Sequence, residues 1–236
     1  MHAAAVALQT ATVAYLVLAD PFFGAFKYRE MEAAVESGAP EARSRFYQAI
    51  LLVEWWWVAV TAVSLYLTNK APADIGLRPL TNYADIVKVA LPLFAVGLAA
   101  SHAVAAIVPK AQRLSLLIPV TRRERLLWTA TALTAGICEE ILFRGLLPLY
   151  VTTLLPSLPW WTVLGLSSAA FGWAHLYQGW KGMLTSGIMG LLLGALYRAT
   201  GSLYLPIAVH VLIDLNLLGT SWLQNRQTGA NQKPGH

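Results

Sequence analysis

The stretch CEEILFRG, residues 138–145, decides how this chain folds. It sets two adjacent carboxylates and an arginine inside the apolar run 126–155, whose flanks are as hydrophobic as a membrane span. Ionisable groups in hydrocarbon are costly unless paired or hydrated, so each is a functional candidate by default. Successive helical residues project about 100° apart, so Glu139 and Glu140 cannot share a face. Residues four apart do meet. Glu140 and Arg144 are therefore expected to form an in-helix ion pair, which leaves Glu139 free to face a cavity and act as a base. A purely structural role for Glu140 and Arg144, locking helices together, is an equal reading of that pair.

Composition supports the membrane reading. The 236 residues are 57% hydrophobic and 12% charged, against about 25% charged in soluble domains. Mean hydropathy is +0.54, and the nine tryptophans and nine tyrosines suit interfacial belts. The fold class expected is all-α: a polytopic transmembrane helical bundle with a membrane-embedded catalytic cavity. Seven apolar runs are visible, at 3–18, 46–67, 86–108, 126–155, 160–176, 183–197 and 203–218. The last two are short for a bilayer. The loop after the first run carries AFKYREMEAAVES, which reads as an amphipathic surface helix and the place for an eighth span. The first run lacks a preceding Lys or Arg and is taken as a retained span rather than a secretory signal. Residues 1–125 are thus N-terminal spans with an amphipathic loop, 126–218 the catalytic membrane core, and 219–236 a polar tail.

The net charge of +5 is assigned to cytoplasmic loops rather than to a nucleic-acid partner, because the basic residues lie between apolar runs. With seven spans the loop Lys and Arg divide 12 against 4. The larger set includes the C-terminal Arg226 and Lys233, so the C-terminus is expected in the cytoplasm. The single cysteine, Cys138, excludes an internal disulfide and a multi-cysteine zinc site. Ser186, Gly190 and Gly194 recur every four residues and read as a close-packing face.

Two further polar clusters lie in later apolar runs. His175 stands in FGWAH, and His210 and Asp214 stand in HVLID, four apart and on one face. One shared site explains three such clusters better than three accidents do. A carboxylate base, imidazoles and an orienting group suit activation of water against an amide carbonyl. The same residues admit a metal, since two histidines and a carboxylate (Glu139, His175, His210) hold zinc with one position open. No HExxH helix is present, so a metal-free carboxylate mechanism is preferred and no cofactor is required. Glu54, beside Trp55, Trp56 and Trp57, is read as an interfacial or bundle-pairing acid, and His102 as an interhelical hydrogen bonder.

The ordered set resembles a known family. EEILFR (Glu139, Glu140, Arg144), FGWAH (Phe171, His175) and HVLID (His210, Asp214) are similar in order and spacing to the motifs of the CPBP family of intramembrane proteases. That family includes the CAAX prenyl endopeptidases and bacteriocin-processing and immunity-type proteins. The resemblance covers about residues 126–218, and IGLRPL at 75–80 is also similar. It implies a bacterial or archaeal multi-pass enzyme that hydrolyses a peptide bond of a membrane-anchored protein or peptide. By the resemblance, Glu139 and His175 activate water, and His210 with position 214 stabilises the oxyanion. Glu140, Arg144 and Phe171 are supporting residues. Position 214 is Asp where the prenyl-protease branch has Asn. An ionised Asp cannot donate a hydrogen bond, so Asp214 either keeps a proton or orients His210. A prenylated CAAX protein and a protein bearing a C-terminal sorting signal are then equal substrate expectations. Two other classes fit less well: a non-catalytic peptide-binding or immunity protein of the same fold, and a proton-relay transporter, against which no inverted repeat is visible.

Overall fold

The computed structural model describes residues 2–81, 88, 92, 95 and 116–215. The run 86–108 with His102, the residue Asn216 and the tail 219–236 therefore lie outside the described residues, apart from positions 88, 92 and 95. Every described element is helical. They are α1 (His2–Ala14), a π-helical turn (Tyr15–Ala19), α2 (Asp20–Glu36), α3 (Ala42–Leu67), a 3-10 turn (Pro72–Ile75) and α4 (Arg122–Glu139). There follow a π-helical segment (Glu140–Leu146), α5 (Leu147–Leu154), α6 (Trp160–Ala174), a 3-10 turn (Leu176–Gln178), α7 (Gly179–Thr200) and α8 (Tyr204–Leu215).

Among the described residues four helices are long and apolar enough to cross a membrane: Ala3–Glu36, Ala42–Leu67, Arg122–Leu154 and Leu176–Thr200. The chain is thus a multi-pass helical membrane protein. The first run does not stop at residue 18. It continues through AFKYREMEAAVES as one helix of 34 residues, about 51 Å long against a hydrocarbon core of about 30 Å. Pro21 does not break it: a π turn precedes this proline, and the Val17 carbonyl that it leaves without an N–H accepts from Trp173 Nε1 at 3.0 Å. Tyr28 and Met31 bury against Phe46, Tyr47 and Leu117, so the expected surface helix is an arm of the bundle. The run at 160–176 forms α6, of 15 residues and shorter than a full span, and the described part of the run at 203–218 forms α8.

Three close approaches position the later helices. A Cβ on Gly172 would lie 2.5 Å from the Met183 carbonyl oxygen, and one on Gly190 would lie 3.1 Å from Ser168 Cα. The backbones of α6 and α7 therefore nearly touch, and the small-residue face is a packing face, as its spacing implies. A Cβ on Gly136 of α4 would run into the Val211 side chain of α8 and lie 3.0 Å from the Val211 backbone nitrogen. Finally, the IGLRPL segment clasps the α7–α8 turn. Leu203 N donates to the Gly76 carbonyl at 2.8 Å, Arg78 Nε to the Gly201 carbonyl at 2.6 Å, and Ser202 Oγ to the Arg78 carbonyl at 2.6 Å. Gly76 stands at φ +88° with Tyr197 against it, a position only glycine fills without strain.

Candidate active site

The CEEILFRG stretch lies where α4 changes from α to π geometry. Glu139 ends the α-helix and Glu140 opens the π segment. Pro148 follows in the first turn of α5 and has no N–H to continue the ladder. The Phe143 carbonyl, five residues before it, accepts instead from the Ser167 hydroxyl of α6. Single π turns inside α-helices occur often at functional sites. Here the turn and its hydroxyl bridge fix α6 against the glutamates.

Glu140 and Arg144 form the expected pair, with Arg144 Nη1 donating to Glu140 Oε1 at 2.8 Å and both side chains almost wholly buried. The pair also does something that helix geometry alone did not reveal. Glu140 Oε1 lies 2.8 Å from Nδ1 of His210, 70 residues away on α8. A carboxylate held by an arginine accepts, so the His210 proton belongs on Nδ1. Nε2 then points to the other two acids, 3.6 Å from Glu139 Oε2 and 3.8 Å from Asp214 Oδ2. Glu140 is therefore a positioning residue for His210 as well as the counter-ion of Arg144.

His175 closes α6. Its Nδ1 lies 2.8 Å from the Phe171 carbonyl, which can only accept. The proton therefore sits on Nδ1, and Nε2 is left as an acceptor. The Phe171 ring is the wedge among these groups. Arg144 Cζ stands 4.0 Å from its centroid, and the His175 and His210 rings meet it edge-on at 4.7 and 5.8 Å. Phe171 is 2% exposed.

Glu139, His175 and Asp214 line a cavity of about 190 Å³, with His210 buried beside them. Glu139 Oε2 has no hydrogen-bond partner. The three clusters from α4, α6 and α8 thus meet. The cavity's opposite wall comes from the N-terminal helices and includes Tyr15, Asp20, Glu54 and Trp57. Glu54, read from sequence as an interfacial or pairing acid, has a buried Oε2 with no partner. Its one visible signal was its place as a lone acid within a span. Cys138 is fully buried and free, a small core residue. No group of three or more His, Cys, Asp or Glu among the described residues is arranged to hold a metal.

Part of the chain matches a known family. Residues 121–216 fit the family described as Type II CAAX prenyl endopeptidase Rce1-like. No curated protein and no solved structure matches the chain. The matched two fifths contain EEILFR, FGWAH and HVLID, and leave the wall built by α1–α3 outside. Residues 121–216 are thus similar to that family of CAAX endopeptidases.

Proposed function

We propose that this chain is an intramembrane endopeptidase in which Glu139 activates water against a peptide bond of a membrane-associated protein or peptide. The observation that carries this is the unpartnered Glu139 carboxylate at the cavity wall, within 3.6 Å of a histidine whose other nitrogen is already committed. Residues 126–218 are the catalytic core, with about seven spans in all and the C-terminus in the cytoplasm.

A water held between Glu139 and His175 Nε2 meets two acceptors. Its oxygen attacks the carbonyl carbon while Glu139 takes the proton. The oxyanion so formed needs a donor. His210 supplies it when its ring carries a second proton, through Nε2, which lies 3.6 Å from Glu139 Oε2 and 3.8 Å from Asp214 Oδ2. Asp214 then orients His210 rather than donating itself, which accounts for an acid at that position. Glu139 returns its proton to the amide nitrogen, the C–N bond breaks, and a carboxylic acid and an amine leave. No metal is required.

Substrate trapping tests this. Glu139→Gln protein should retain a membrane protein that appears as a shortened fragment with the wild type, identified by mass spectrometry. A retained partner that the wild type never shortens would overturn the reading in favour of a non-catalytic peptide-binding protein.

A further inference from the structure

The wall facing Glu139 is more acidic than hydrolysis requires. Asp20 and Glu54 line the cavity together with Glu139 and Asp214, so four carboxylates surround one small space. The one Lys or Arg among the described lining residues is Lys27, and its Nζ is already bonded to Glu30 Oε2 at 2.8 Å. Asp20 has a partner, the Tyr15 hydroxyl, which donates to Oδ1 at 3.0 Å. Glu54 has none, and its Oε2 is wholly buried. An unpaired buried carboxylate is costly, and a cation arriving beside it relieves the cost.

Aromatic faces complete the wall. Tyr15 and Trp57, on either side of these acids in the sequence, stack at 4.4 Å and line the same cavity. Carboxylates beside aromatic rings are what a desolvated organic cation needs. A metal ion suits the site less, because no three donors among the described residues are arranged to hold one.

We propose that Glu54 and Asp20, with the Tyr15–Trp57 pair, form a specificity subsite for a Lys or Arg side chain of the substrate close to the scissile bond. The inference rests on the endopeptidase reading for the word substrate. The subsite lies outside residues 121–216, on the helices that the family match does not cover. The same wall repels acidic segments, so selection works in both directions.

Binding separates the two readings. Glu139→Gln protein in nanodiscs is titrated with fluorescent apolar peptides that carry Lys, Arg, Gln or Glu at each position in turn. Lys and Arg peptides should bind roughly tenfold or more tighter than Gln peptides at one position, the scale of a charge-assisted hydrogen bond. Adding Glu54→Gln should collapse that preference to within about threefold, and Asp20→Asn should reduce it in part. Equal binding of Lys and Gln peptides at every position, or a preference that survives Glu54→Gln in protein with an unchanged melting temperature, overturns the subsite. If the preference is present but wild-type protein cuts none of the bound peptides, the subsite stands and the protease reading falls. If the peptides are cut without preference, the reverse holds.

Discussion

Gly136→Ala probes how closely α8 must sit against the glutamates. The new Cβ would collide with a Val211 methyl and would lie 3.0 Å from the Val211 backbone nitrogen and 3.2 Å from its Cα. Comfortable contacts begin near about 3.5 Å, so the α8 backbone has to retreat by roughly 0.5 Å. Val211 has little rotamer freedom with which to absorb the clash. His210 is the adjacent residue. A retreat of that size stretches its 2.8 Å contact with Glu140 to about 3.3 Å, past a good N–H···O distance. Its 3.6 Å approach to Glu139 lengthens too. Misplacements on this scale cost about 10- to 100-fold in rate, and overpacking costs about 1–3 kcal/mol of stability. Cleavage of a membrane-anchored reporter in proteoliposomes measures the first, and thermal unfolding in detergent the second. Val211→Ala in the double variant removes the methyl but not the backbone contacts, so recovery should be partial. Activity of Gly136→Ala within about threefold of wild type would refute the argument that this contact sets the His210 geometry.

Two further outcomes are expected. Phe171→Ala removes the ring shared by Arg144, His175 and His210; it should lower stability by about 3–5 kcal/mol and abolish cleavage, and Phe171→Leu should recover more stability than activity. Exhaustive chelation should leave the cleavage rate unchanged and elemental analysis should find no stoichiometric zinc; activity lost to chelator and restored by zinc would contradict the metal-free mechanism.

The helical character, the Glu140–Arg144 pair and the shared face of His210 and Asp214 were legible because each follows from composition or from spacing of four along one helix. The second role of Glu140 was not, since its His210 contact joins residues 70 apart and depends on how α4 and α8 pack. The π segment was hidden for a similar reason: Pro148 shows where the ladder fails, but only the tertiary partner Ser167 stabilises the result. Apolar runs were visible, but their joining was not. Hydropathy ends the first run at residue 18, whereas helix propensity and the burial of Tyr28 and Met31 carry the helix to Glu36. Glu54 could be seen as an acid within a span, but its place in the cavity wall depends on α3 packing against α2 and α4.

The division of labour between the adjacent glutamates is tested most directly by comparing Glu139→Gln with Glu140→Gln for single-turnover cleavage and for melting temperature. Glu139 is unpartnered at Oε2, so its replacement should lower the rate by about 10²–10⁴-fold and leave the melting temperature unchanged. Glu140 neutralises Arg144, which is 2% exposed, so its replacement should cost about 3–5 kcal/mol of stability and lower the rate through His210. A Glu139→Gln protein that still cleaves at the wild-type rate, or that unfolds while Glu140→Gln stays folded and inactive, would contradict the account.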